Sequence, residues 1–237
     1  ENLFFMRGFS NFSALDRSLM DMFSRNISIA IENMELFQDI GRTQQEIVYL
    51  LGDAVETRSK ETGNHVKRVA EISKLIGLDI GLDETEAEIL KHAAPMHDVG
   101  KIGIPDSILN KPGKHSEEEF DVMKGHSLLG FDMLKSSDKE ILTAGAIIAR
   151  DHHEKWNGEG YPYGKKGEDI HIYGRIVAIT DVFDALGSDR FHDKAWPLGR
   201  ILEYLEEERG KHFEPRLVDS VINNLDRINE IRNQFGD

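Results

Sequence analysis

Residues 141–162 read ILTAGAIIARDHHEKWNGEGYP. Ile141, Leu142, Ala146, Ile147 and Ile148 recur at helical spacing, the doublet His152-His153 ends that run, and a glycine-rich loop follows. Two adjacent imidazoles at the mouth of a loop are unfavourable if both are buried without partners. Either both rings face water or they share a ligand.

Working outward, the same helical period returns at 63–77, 84–97, 116–134, 138–153, 173–187, 197–208 and 215–232. Gly77, Asp83, Pro105, Pro112-Gly113, Ser136-Ser137, the segment 158–167 and Pro197 fall between these runs. Strand-like alternation is scarce and brief, so the expected fold class is all-α. Upstream, 13–57 is helical too: Leu15, Leu19, Met22, Phe23, Ile27, Ile29, Ile31, Met34 and Leu36 recur at three- and four-residue intervals. Gly41 interrupts the pattern, and Ile47, Leu50, Leu51 and Val55 resume it. A long helix ahead of a compact domain is a connector or a dimer seam, or packs on its own domain. In residues 1–7, Leu3-Phe4-Phe5-Met6 reads as a strand of an upstream domain or, with Glu1-Asn2, as the start of a protease-site tag.

The 237 residues are 39% apolar and 30% charged, as in globular rather than disordered chains. Without cysteine, any bound metal needs nitrogen and oxygen ligands. The apolar runs fall short of the roughly 20 residues that span a bilayer. No secretory leader opens the sequence, so a cytoplasmic, membrane-free protein is expected. A net charge of −14 argues against a nucleic-acid polymer as partner. A small anionic substrate would need local positive charge, for which divalent cations are an obvious source.

Five segments could carry chemistry. Glu61 and His65 are four apart, hence on one helical face, a spacing equally common on solvated faces. His97-Asp98 precedes Val99-Gly100-Lys101-Ile102-Gly103 at a helix end, where both side chains can converge. His126 and His152-His153 follow. Asp181, after Ile176-Val177-Ala178-Ile179, is a carboxylate near the core that needs a cation or hydrogen-bond donors. The remaining histidines, His92, His115, His171, His192 and His212, lack such context and read as surface or core residues.

Taken in order, His97-Asp98, His126, His152-His153 and Asp181 resemble the HD superfamily of metal-dependent phosphohydrolases. His152-His153-Glu154-Lys155-Trp156-Asn157-Gly158-Glu159-Gly160-Tyr161-Pro162 resembles the extended signature of its HD-GYP branch, and the similarity covers about residues 47–212. The resemblance implies a helical bundle with two or three divalent ions, iron or manganese, that hydrolyses cyclic di-GMP to linear pGpG or GMP through a metal-activated hydroxide. The implied ligands are His65, His97, Asp98, His126, His152, His153 and Asp181, with Asp98 bridging and Glu61 serving a third ion. Asp98 and Lys101 are the implied catalytic residues; Lys101, Tyr161 and Arg190 would contact substrate.

The segment 47–65 is similar to response-regulator members. That makes 1–45 the tail of a sensory-like domain with its connector helix, 46–237 the catalytic domain, and a homodimer through that helix the expected assembly. The sequence departs from the family pattern at Asn157, where many members have Asp, and at Gly187, where Thr is usual. In Ser188-Asp189-Arg190-Phe191-His192-Asp193, an acid also stands at the usual lysine position. Asp193 repels a phosphate, which leaves a nucleotide-binding module with little turnover as the alternative function.

Overall fold

The computed structural model describes residues 13–59, 63–188 and 194–236. The chain divides into two compact units, Glu1–Ile47 and Val48–Asp237. Among the described residues there are ten α-helices and no β-strand, with one isolated bridge between Arg209 and Phe213.

Helix α1 is Ala14–Arg58, and Gly41 does not break it. A Cβ at Gly41 would meet nothing within 4 Å, so no close packing requires the glycine, which costs helix propensity without ending the helix. No described residue of the first unit is buried. Leu15, Leu19, Met22, Phe23, Ile29, Leu36, Phe37, Ile40 and Ile47 are exposed there.

In the second unit, α2 (Gly63–Asp79) and α7 (Ile172–Gly187) pack together with α3 (Glu84–Ala93) and α6 (Glu140–Asp151). Ile72, Ile76, Leu90, Ile148, Ile179 and Phe183 fill the space between them and are fully buried. Each such side chain contributes roughly 1.5–3 kcal/mol of hydrophobic stabilisation. Asp83 opens α3 and Ser116 opens α5 (Glu117–Leu134), each in a reciprocal capping box with the glutamate three residues on. A short α4 (Asp106–Leu109) precedes α5; α8 (Leu198–Glu207), α9 (Pro215–Asn223) and α10 (Leu225–Gln234) complete the bundle.

Two expected helices are subdivided. The run 84–97 leaves α-helical geometry after Ala93, and 94–96 form a 3₁₀ turn with Pro95 in it. Proline has no N–H and its ring clashes with the carbonyl four residues back. The run 215–232 divides at Asn224, whose amide side chain donates to the Ser220 carbonyl at 2.9 Å.

A second 3₁₀ turn, Val99–Gly103, lies against α5. The approach is so close that a Cβ at Gly100 would stand 1.9 Å from the His126 carbonyl oxygen and 2.4 Å from the Gly130 nitrogen. Two glycines thus bring the end of one segment against the middle of another, next to His126.

Candidate metal centre

The seven residues expected as ligands, other than Glu61, come from five places in the chain. His65 is in the first turn of α2, His97-Asp98 lies between the two 3₁₀ turns, and His126 is in α5. His152-His153 follows α6, and Asp181 is in α7. The fold collects them into two adjoining groups, Asp98 with His126, His152 and His153, and His65 with His97 and Asp181. Within each group one ligand atom per residue lies within 4.8 Å of the others.

Local backbone fixes the ring orientations. Nδ1 of His97 meets the Ala94 carbonyl at 2.9 Å, and Nδ1 of His126 meets that of Met123 at 2.7 Å. Nδ1 of His152 lies 3.0 Å from the carbonyls of Ile148 and Ala149. A carbonyl only accepts, so each Nδ1 donates, and in the neutral ring Nε2 carries the lone pair inward. His65 is held by a side chain: its Nδ1 is 2.8 Å from Asp184 Oδ2.

The inward atoms crowd together. Asp98 Oδ1 lies 3.2 Å from His126 Nε2 and 3.7 Å from His152 Nε2, and those two nitrogens are 3.4 Å apart. Asp98 Oδ2 lies 3.2 Å from His97 Nε2, and His65 Nε2 is 3.3 Å from Asp181 Oδ1. Nε2 of His65, Nε2 of His97 and Oδ1 of Asp98 are buried without a hydrogen-bond partner. Facing lone pairs and orphaned buried acceptors are costly unless a cation sits among them. The donor set of imidazole nitrogens and carboxylate oxygens therefore fits divalent metal ions.

Electrostatics agree. Burial disfavours charge on His65, but Asp181 and Asp184 outweigh it and raise the ring to about 10. His97 is raised to about 9 against the same burial, chiefly by Asp98. Asp98 is held well below the usual carboxylate range despite burial, by Lys101 and then His97; Asp181 is likewise held down by His65 and His97. Burial lowers His152, against the pull of Asp98, and lowers His153 further with help from His152 and His126. The acids are thus ionised, and protons on His65 and His97 stand where cations would compete for the rings.

Lys101 is mostly buried, and its Nζ is 2.6 Å from Asp98 Oδ2. Tyr161 stacks on His153, with ring centroids 4.7 Å apart at 30°, and its N–H donates to the His153 carbonyl at 3.1 Å. Its loop is pinned by Glu154, whose carboxylate accepts from the Tyr163 and Lys165 N–H groups at 2.8 and 2.9 Å. Gly160 permits this path, since a Cβ there would lie 2.3 Å from the Lys155 nitrogen. Glu61 and Arg190, together with Phe191, His192 and Asp193, lie outside the described residues.

Sequence reasoning missed three groups. Asp184 orients His65 and pairs with the buried Arg68 at 2.8 Å; its position three residues after Asp181, on the same helical face, was the available signal. Glu56 is buried, with Oε1 4.0 Å from His97 Nε2. Arg58 reaches across to the turn that carries Lys101. Nothing in linear spacing points to either of the last two.

The model of the HD domain family matches residues 49–217. The chain is 45% identical over 225 residues, 95% of its length and 43% of the relative's, to 3'3'-cGAMP-specific phosphodiesterase 2 of Vibrio cholerae. It is 38% identical over 95% of its length and 60% of the relative's to the cyclic di-GMP phosphodiesterase response regulator RpfG of Xanthomonas campestris. A cyclic di-GMP phosphodiesterase of Thermotoga maritima is 42% identical over 75% of this chain and 48% of that one. The chain spans about half the length of the curated relatives it matches. Among solved structures, the fold resembles a cyclic GMP-AMP specific phosphodiesterase of V. cholerae, with a TM-score of 0.60 at 20% identity over 78% of this chain and 50% of that one.

Proposed function

Because the chain belongs to the HD domain family, we propose that it is a metal-dependent phosphodiesterase that hydrolyses cyclic di-GMP to linear pGpG or GMP. One observation carries the reading: Asp98, His126, His152 and His153 converge beside His65, His97 and Asp181, with buried ligand atoms left unpaired.

We assign one ion to His65, His97 and Asp181 and a second to His126, His152 and His153, with Asp98 facing both groups. Oδ1 of Asp98 points to His126 and His152, and Oδ2 to His97. Glu61 is the carboxylate we assign to a third ion, and iron or manganese suits the mixed imidazole and carboxylate set. Bound divalent ions supply charge stabilisation on the phosphoryl oxygens and lower the pKa of water. In the net reaction a water oxygen bonds to phosphorus, the P–O3′ bond breaks and O3′ takes a proton, leaving a linear dinucleotide with a 5′-phosphate. Lys101, held at Asp98, binds a phosphoryl oxygen through Nζ. Tyr161 offers a ring face to a base beside the centre, and Arg190 a planar fork to the second phosphate. Supporting relatives include the cyclic di-GMP phosphodiesterases of X. campestris and T. maritima.

The relative at 45% identity favours a second substrate, 3′3′-cGAMP, which shares the same phosphodiester chemistry. Protein loaded with iron or manganese should convert one or both cyclic dinucleotides to linear product, as read by chromatography, and lose that turnover on chelation. Intact substrate after hours with metal-replete protein would end this reading.

We also propose a homodimer through α1. Leu15, Met22, Ile29 and Leu36 are spaced by seven, and Leu19, Ile40 and Ile47 fall on the companion position of the same heptad; all are exposed. We keep the expected division, with 1–45 the tail of an upstream sensory-like domain and its connector and 46–237 the catalytic domain.

A further inference from the structure

Lys101 is gripped at both ends by the last turn of α1. At the backbone, Arg58 Nη1 donates to the Lys101 carbonyl and Nη2 to the Ile104 carbonyl, both at 2.6 Å, while Nε donates to Asp106 Oδ1 at 3.1 Å. The grip is returned, since Asn110 Nδ2 donates to the Arg58 carbonyl at 3.2 Å. At the tip, the Lys101 ammonium lies 3.8 Å from Glu56 Oε2 and 2.6 Å from Asp98 Oδ2.

Glu56 also lies within ligand distance of His97 and Asp98, so it could be taken for another metal ligand. Glu56 differs from the assigned ligands in having a cationic partner of its own, the Lys101 ammonium, while His97 and Asp98 already belong to the two groups that hold the ions. Burying this carboxylate is tolerable because it faces that charge and accepts from Ser59 Oγ at 3.3 Å.

We propose that Arg58 and Glu56 are positioning residues for phosphodiester hydrolysis, which act by fixing Lys101 against Asp98 and do not themselves touch metal or substrate. Arg58 sets the height of the turn through two carbonyls at once, a task suited to a planar fork and beyond a single ammonium. Glu56 sets the direction of the Lys101 side chain. A misplacement of about 1 Å at such a group costs on the order of a hundredfold in rate.

The proposal rests on the phosphodiesterase reading in its kinetic arm and is independent of it in its structural arm. In the kinetic arm, metal-loaded Arg58→Met and Glu56→Gln should retain the metal content of the parent by elemental analysis. Their kcat on cyclic di-GMP should fall about tenfold to a hundredfold, with KM moving much less. Arg58→Met added to Lys101→Met should cost almost nothing further, because its effect passes through Lys101. Arg58→Lys should recover little. In the structural arm, a crystal structure of Arg58→Met should show Lys101 Nζ displaced from Asp98.

Losses that multiply in the double variant would overturn the proposal, as would metal lost from Glu56→Gln. So would a Lys101 Nζ still within about 3 Å of Asp98 in Arg58→Met. Glu56→Gln preserves shape and serves if Arg58→Met does not fold. A parent protein that hydrolyses no cyclic dinucleotide overturns the functional reading, and the crystal structure then decides the placement of Lys101 by itself.

Discussion

At the scale of single residues, the centre depends on side chains that never face its interior. Asp184 accepts from His65 Nδ1 and is itself held by Arg68, so it fixes both the tautomer and the plane of that ring. Asp184→Asn should keep the fold and weaken metal affinity about tenfold to a hundredfold, measured by competition with a chromophoric chelator. Unchanged affinity would mean that His65 orients itself. His212 is a different case. It stacks on Phe213 with centroids 4.2 Å apart at 12°, and burial, reinforced by the charge of Lys155, pushes it down to about 4. The unfolded ring takes a proton near pH 6.5 and the folded ring resists until about 4, so its contribution is full above 6.5 and is lost as pH falls through that interval. The unfolding free energy of the parent should therefore fall relative to that of His212→Phe by about 1–3 kcal/mol as pH drops from 7 to 4.5, as read by denaturant titration at each pH. Parallel profiles for the two proteins would refute this account.

At the scale of elements, the distance between the Val99–Gly103 turn and α5 decides whether Asp98 meets His126. Gly100 makes that approach possible, and its obstacles are backbone atoms, which no rotamer change can move aside. Gly100→Ala should destabilise by about 2–3 kcal/mol and lower metal occupancy even in the folded fraction. Calorimetry with metal analysis would test both, and a variant with parental stability would show that the turn can yield. The helix ends matter in the same way. His152 closes α6 because its ring is bound to carbonyls of that helix's last turn, and the chain then turns into the loop that Glu154 pins. Helix termination and placement of the His152 ring are one event at this point.

For the whole molecule, the balance of charge and apolar surface sets what it can bind. A net charge of −14 repels anionic nucleotides, and the mutually facing acids of the centre would add to that without cations. Under the proposed function, cation loading would serve both binding and chemistry. The exposed heptad positions of α1 are the other large-scale feature, since a helix of 45 residues with no buried residue before Ile47 leaves its apolar stripe for a partner. A second copy should cover it, and light scattering should give twice the chain mass. Leu36→Asp with Ile40→Asp should return the monomer. A parent protein that is monomeric at tens of micromolar would remove the case for the seam. No helix among the described residues is long and apolar enough to cross a membrane.

Much of this was legible before folding. Helical period gave the all-α class, and the residues expected as ligands, His65, His97, Asp98, His126, His152, His153 and Asp181, are ones the fold brings together, because the donor atoms a residue offers are a property of its side chain. Breaks were less legible: Pro95 and Asn224 act on backbone geometry too locally for periodicity to register. What only the tertiary structure decided is the company those residues keep. Glu56 and Arg58 meet Lys101 across more than forty positions of sequence, and Asp184 meets His65 across more than a hundred. Such pairings come from helices packed into one core, where burial strips water from each polar atom and obliges it to find a partner that linear spacing cannot name.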